Sequence, residues 1–324
     1  MNLTEFNQSE HCENFSCPER SVSPAVYILL YVCSAAVVLL TVCGNILVII
    51  SVFHFKQLHT PTNMLVLSLA VSDFLAGIFV MPLMLIWTIE SCWIFGKDFC
   101  TIYWLISSLL TISVYTIAQI AVDRYLALSY PFFYMNVVSV KITRVVVGFN
   151  WCVVVTYMLA LLYFNGNFKS SIMCPGECFF SLNEVWTVID LVFSFIFPLF
   201  VIIILYTRVF VIAKKHATAI RELNNHTQPK TQKNPSQLKA AKVLGIVVSV
   251  FLVCLLPYCI YSLLGGVIEL KLETVQKFLI ALYLNSTINP FIYALFYPWF
   301  RRSIKLIITL QIFQRDSALI NVHS

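Results

Sequence analysis

Apolar residues in this chain come in long unbroken runs, not in the two-residue alternation of a barrel strand. Seven such runs fall near 24–53, 62–87, 101–127, 143–164, 185–213, 241–267 and 276–298. Each reaches the roughly 20 residues that a helix needs to cross the hydrocarbon layer. Only helices or closed barrels satisfy their own backbone in lipid, so the runs predict helices. A different pattern follows in "WFRRSIKLIITLQIF", where Trp299, Phe300, Ile304, Leu306, Ile307 and Leu310 are set against Arg301, Arg302 and Lys305. That is an amphipathic helix lying along the inner leaflet. The pattern thus predicts an all-α membrane protein: a seven-transmembrane helix bundle with a short amphipathic C-terminal helix. It divides into a tail at 1–23, the bundle at 24–298, and an amphipathic helix with a cytoplasmic tail at 299–324.

Composition agrees. Hydrophobic residues make up 60% of the 324 and charged residues only 11%, against about a quarter charged in a soluble domain. The first 23 residues hold no apolar core of a cleavable signal, so the first helix is expected to act as its own signal. With the N-terminus outside, cytoplasmic segments hold 16 of the 21 Lys and Arg, which is the positive-inside bias. The net charge of +6 therefore reports topology and gives no support to nucleic-acid binding. The outer face carries ten acids against five bases, a field that draws cations to the outer mouth. Sequons at Asn2, Asn7 and Asn14 mark the tail as glycosylated. Of eleven cysteines, six (Cys12, Cys17, Cys92, Cys100, Cys174, Cys178) fall on the outer face, where disulfides persist. The inner loop 214–240 is basic, with its ends extending helices five and six and its middle expected to be mobile.

Polar residues inside spanning helices are costly and default to functional hypotheses. Here they are Asn45, Asp73, the run Asp123-Arg124-Tyr125, Trp151, Asp190, and Asn285 and Asn289 in "NSTINPFIY"; Pro198, Pro257 and Pro290 interrupt helices five, six and seven. In order and spacing these resemble the rhodopsin-like G-protein-coupled receptors. "NSTINPFIYALFYPWF" (285–300), "HFKQLHTPTN" (54–63), "SCWIFG" (91–96) and "KAAKVLGIVVSVF" (239–251) are similar to the trace amine-associated receptors among them. The resemblance implies a multi-pass plasma-membrane receptor for volatile or biogenic amines, often olfactory, acting through a stimulatory G protein and cyclic AMP. It implies that Asp123 and Arg124 form an ionic latch beside Tyr125, and that Tyr206 and Tyr293 swing toward Arg124 on activation. Phe251, Pro257, Asn289 and Pro290 belong to the same activation set. It also implies an allosteric sodium ion, the sole cofactor expected, held by Asp73 with Ser113, Asn45, Asn285, Ser286 and Asn289; a carboxylate with neutral oxygens suits a hard cation. The family bridge would join Cys100 to Cys178, leaving Cys174 for the tail, with Cys12 preferred over Cys17.

Two departures stand out. The family's Asp on helix three is missing: counting back 18 from Arg124 gives Ile106, and counting seven on from Cys100 gives Ser107. In "FLVCLLPY" (251–258), Leu255 stands where a Trp is usual, leaving its role to Phe251 alone. Asp190, however, lies in the outer half of helix five, about 12 Å outward of Pro198. Thr187, Asp190 and Ser194 stand at i, i+3 and i+7 and share a face. An Asp at a helix centre costs about 2.5–3.5 kcal/mol on insertion scales, so some gain must offset it. A structural Asp bonded to hydroxyls such as Thr111 is one account; an anchor for an external ammonium is the favoured one. A branch of fish-type trace amine receptors carries its amine-binding Asp on helix five, and this sequence resembles that branch. Tyr258, Tyr261, Tyr283 and Phe179 could wall the pocket and add cation–π contact. A diamine would need a second anion, for which only rim acids such as Glu184 or Glu269 could serve.

Other classes fit less well. Helix seven has no Lys in its middle for a retinal Schiff base, Lys277 lying at its outer end, and a transporter would want more embedded charges or broken helices. No zinc-protease motif or paired catalytic carboxylates appear, so the chain is not read as an enzyme. A rhodopsin-like receptor for a non-amine ligand is the alternative.

Overall fold

The computed structural model describes residues 17, 23–164, 176, 178, 184–226, 235–264, 272–314 and 317–322. The sequons at Asn2, Asn7 and Asn14, the middle of the inner loop, and Cys12, Cys174, Phe179 and Glu269 lie outside the described residues, as does the side chain of Glu184.

Among the described residues, seven helices are long and apolar enough to cross a membrane. The first is α1 (Pro24–His54); the second joins α2 (Pro61–Phe79) to α3 (Met81–Glu90). The third joins α4 (Gly96–Ser107) to α5 (Leu109–Ser129), and a short helix α6 (Pro131–Val137) leads to the fourth, α7 (Val140–Phe164). The fifth is α8 (Glu184–Leu191), a π turn (Val192–Ile196) and α9 (Phe197–His226). The sixth is α10 (Pro235–Leu264), the seventh α11 (Leu272–Phe296), and α12 (Pro298–Ile308) follows.

Local chemistry explains the boundaries. Thr60 caps α2 by accepting from the Asn63 amide at 3.3 Å, with Pro61 just inside the helix. The second span breaks at Val80, where Pro82 follows and offers no N–H to the preceding turn. Ser91, left-handed at φ 55°, ends α3. The third span starts at Gly96, five residues earlier than its apolar run, because "GKDF" extends the helix into the outer polar layer.

The bundle is apolar outside as well as inside. Phe53, Phe149, Phe210 and Val253 are all at least 65% exposed, which in water would be a severe liability and in lipid is the expected surface. Inside, small residues let helices meet closely. A Cβ on Gly44 would sit 2.8 Å from the Pro290 ring, so α1 and α11 touch backbone to ring there.

The amphipathic helix departs from the sequence picture in one respect. Trp299, Phe300 and Leu306 are buried against α1 and α11, and Ile308 and Leu310 are exposed, so its apolar face is shared between bundle and lipid. Leu310 turns the chain in the left-handed region, and the tail folds back. The Val322 amide donates to Gln57 Oε1 at 3.2 Å, and Ser317 Oγ lies 3.0 Å from His54 Nε2.

Candidate functional site

A cavity of about 120 Å³ opens in the outer half of the bundle, walled by spans three to seven. Its lining includes Ser107, Ser108 and Thr111 from the third span, Asp190 and Ser194 from the fifth, and Tyr258, Tyr283 and Leu279 from the sixth and seventh. Asp190 is the one acid in that lining among the described residues. Of the two helix-three candidates, Ser107 faces the cavity and Ile106 packs into the core. The helix is interrupted at Ser108, where three hydroxyls turn inward on one short stretch; Ser107 Oγ donates back to the Tyr103 carbonyl at 2.7 Å.

Two of the expected wall residues stand elsewhere. Thr187 is exposed and does not line the cavity. Thr187 stands almost a turn outward of Asp190 on α8, and the π turn that follows Asp190 holds more residues per turn and carries Ser194 over it. Tyr261 is half-buried outside the lining, its ring 6.4 Å from those of Tyr258 and Phe278.

The Asp190 carboxylate is bonded on one side. Ser194 Oγ donates to Oδ1 at 3.0 Å and Tyr157 Oη donates to the same oxygen at 2.9 Å. Thr111, buried on the opposite wall, is not a partner. Tyr157 was not among the sequence candidates. A Tyr in an apolar helix carries no local signal of its target; only the crossing of α7 over the π turn brings it there.

Deeper in the bundle, Asp73 is fully enclosed. Ser286 Oγ donates to Oδ1 at 2.8 Å, Asn289 Nδ2 to Oδ2 at 2.8 Å, and Ser113 Oγ approaches Oδ1 at 3.5 Å. Asn45 Nδ2 donates to the carbonyls of Thr41 and Ser286. The amide oxygens of Asn45, Asn285 and Asn289 are buried and find no partner among the described residues. A carboxylate, two hydroxyls and orphaned amide oxygens form a donor set suited to a small hard cation.

At the cytoplasmic end Arg124 and Asp123 are both only 7% exposed and pair at 2.5 Å. Asp123 Oδ2 also accepts from Thr62 Oγ1 at 2.9 Å, and Arg124 Nη2 donates to that same Thr62 oxygen. Oδ1 accepts from Tyr134 Oη at 2.7 Å. Burial, with the Asp123 carboxylate beside it, pushes the Tyr134 phenol up to about 12, so it stays a donor across the physiological range. Thr62 and Tyr134 were missed by sequence reasoning, since one follows a cap and the other sits on an unforeseen helix, α6. Tyr125 stacks edge-on against Tyr130 at 6.1 Å. Tyr206 and Tyr293 have buried hydroxyls with no partner among the described residues. Pro257 and Pro290 lie inside α10 and α11. Leu255 is fully buried beside Phe251 in the core, so the smaller side chain leaves no exposed gap at the usual Trp position.

Among the described residues, two disulfides tie the outer face. Cys100 is bonded to Cys178, and Cys17 to Cys92. Cys17 is therefore not available to Cys174. The Trp93 amide donates to the Gly176 carbonyl at 2.8 Å, with Gly176 at φ 97°, and holds the second outer loop to the first.

The sequence pattern described as "7 transmembrane receptor (rhodopsin family)" matches residues 44–293. Trace amine-associated receptor 13c of Danio rerio is 39% identical, over 99% of this chain and 98% of its own length. Trace amine-associated receptor 9 of Mus musculus is 37% identical, over 96% of this chain and 93% of its own. Trace amine-associated receptor 6 of Homo sapiens is 36% identical, over 96% and 94%. The chain is not an enzyme but a multi-pass plasma-membrane protein. With an Asp-Arg-Tyr run closing its third span and a proline-kinked seventh, it belongs to the rhodopsin family of seven-transmembrane receptors and, within it, to the trace amine-associated receptors.

Proposed function

We propose that this receptor is activated by small monoamines whose ammonium pairs with Asp190, and that it signals in olfaction through a stimulatory G protein and cyclic AMP. The observation that carries the reading is the placement of Asp190: it is the acid in the cavity lining, and no hydrogen bond among the described residues reaches its Oδ2. A carboxylate enclosed by apolar and aromatic groups gains most from a cation that enters with it. Tyr258 and Tyr283 offer ring faces for cation–π contact, and Ser107, Ser108 and Thr111 offer hydroxyls to a polar ligand tail. One acid in the lining among the described residues supports a ligand with one charge over a diamine. The relatives' name supports amines as the class.

The test is Asp190→Asn in cells reporting cyclic AMP. Loss of the amine response with surface receptor unchanged is expected. Full retained potency would refute the anchor and leave a non-amine ligand as the better account.

The Asp123–Arg124 pair, braced by Thr62 and Tyr134, is read as the closed latch of the resting receptor. Tyr206 and Tyr293, whose hydroxyls have no partner among the described residues, are read as the groups that receive Arg124 when it opens. The Asp73 cluster is read as an allosteric sodium site held by Asp73, Ser113, Asn45, Asn285 and Asn289, with Ser286 added by its 2.8 Å bond.

A further inference from the structure

The Asp190 carboxylate is held unsymmetrically. Oδ1 accepts from Tyr157 and Ser194, at 2.9 and 3.0 Å, and neither donor reaches Oδ2. Ser194 comes from the same span and lines the cavity. Tyr157 comes from α7, and the cavity lining includes Asp190 but not Tyr157. Its phenol therefore reaches the carboxylate from the side away from the ligand space.

Tyr157 is itself fixed. Its ring lies 4.1 Å from that of Phe193, which sits in the π turn two residues beyond Leu191. Tyr115 Oη donates to the Phe193 carbonyl at 2.9 Å, and its ring lies 5.4 Å from Phe193. Spans three and four thus grip the π turn through one aromatic residue, and the phenol hydroxyl is delivered to Oδ1 by that grip.

We propose that Tyr157 is a positioning residue that sets the headgroup specificity of the Asp190 site, admitting a compact ammonium and rejecting a planar guanidinium or amidinium. The proposal rests on Asp190 being the amine anchor. A carboxylate offers about four lone-pair positions, two on each oxygen. The two on Oδ1 are taken by Tyr157 and Ser194. A guanidinium binds a carboxylate as a fork, one parallel bond to each oxygen, and here one tine would have to displace a hydroxyl. An ammonium is a compact charge with rotatable donors that can pair with Oδ2 alone, its remaining donors turning to hydroxyls or water. The same hydroxyl fixes the carboxylate rotamer before the ligand arrives, so less ordering is left for binding to do.

The test compares full-length receptor with Asp190→Asn, Tyr157→Phe and Ser194→Ala, scoring cyclic-AMP potency and surface level. The probes are 2-phenylethylamine and isopentylamine, each against the guanidine built on the same carbon skeleton. The unmodified receptor is expected to prefer each amine, and Tyr157→Phe to narrow that preference by about tenfold, the weight of one hydrogen bond to a charged group. A preference that stays the same, with both probes losing equally or not at all, means Tyr157 only packs the π turn and overturns the proposal. Guanidines already equal to amines on the unmodified receptor overturn it as well. If Tyr157→Phe fails to reach the surface, Ser194→Ala removes the other Oδ1 donor, and an unchanged preference there is equally fatal. Asp190→Asn keeps the two ideas apart. Retained amine potency in that variant sinks the anchor itself, whereas lost potency with an unmoved Tyr157→Phe preference sinks only the specificity role.

Discussion

Removing one hydroxyl from the cytoplasmic latch should raise signalling in the absence of any ligand. Asp123 Oδ2 has three donors, namely Arg124 Nε at 3.0 Å, Arg124 Nη2 at 2.5 Å and Thr62 Oγ1 at 2.9 Å. Oδ1 has one among the described residues, Tyr134 Oη at 2.7 Å. Tyr134→Phe therefore leaves that oxygen bare while keeping the ring in place. A hydrogen bond to a charged group is worth about 1.5–3 kcal/mol. Tyr134 is half-buried near the cytosol, where water can partly replace it, so the lower end applies. About 1.4 kcal/mol is a factor of ten in an equilibrium. A resting receptor with roughly 1% of its molecules active would then rise to about 10%. The assay is basal cyclic AMP per surface receptor, without agonist, in Tyr134→Phe and in Thr62→Ala. Basal signalling that is unchanged in both, at normal surface level, would refute the view that these bonds hold the resting state. A fall would mean that Tyr134 serves the active one.

Gly44→Ala should cost about 1–3 kcal/mol, read as a lower unfolding temperature of purified receptor, because its Cβ would meet two Pro290 ring carbons at 2.8 and 2.9 Å; Gly148→Ala, with nothing within 4 Å, should be neutral or slightly stabilising by helix propensity, and equal effects would deny the close approach. Sodium should lower agonist affinity in the unmodified receptor and lose that effect in Asp73→Asn, measured by radioligand competition against potassium; an equal sodium effect in both would remove the Asp73 site.

The spans were legible because a lipid-facing helix must be apolar on nearly every side, and that requirement writes itself into composition and run length. The break at Val80 was equally open to reading, since Pro82 cannot donate to the preceding turn. The break at Ser108 was not, for no Gly or Pro stands beside it; at the π turn Val192–Ile196, Pro198 signalled an interruption, since it has no N–H for the Ser194 carbonyl, but not the form that the interruption takes. Their consequences fell on the site. An even helical period carried the stripe to Thr187, which is exposed, and the π turn moved Ser194 onto Asp190 instead. Ser107, Thr111, Tyr258 and Tyr283 were reached by position along neighbouring helices, which a bundle preserves. Tyr157, Thr62 and Tyr134 depend on which helices cross and at what height, and no local pattern encodes that.

The two acids embedded in the bundle differ in a way that their sequence settings do not reveal. Around Asp73 both oxygens are engaged, by Ser286, Ser113 and Asn289, and the orphaned atoms belong to neighbouring amides instead. Such a carboxylate can rest without a ligand, and a cation entering there would gain mainly by collecting the amide oxygens around it. Around Asp190 the donors crowd onto one oxygen and leave the other without a donor among the described residues. A carboxylate in that state is satisfied by half, so the entering cation gains from the acid directly. The asymmetry suits the proposed anchor. With Asp190 as counter-ion, the proposal puts the ligand's charged end toward spans four and five and the hydroxyls of Ser107, Ser108 and Thr111 at its other end. A ligand with a charged head and a weakly polar or apolar body, inserted with its ammonium against the fifth span, is the one that this division of polarity fits.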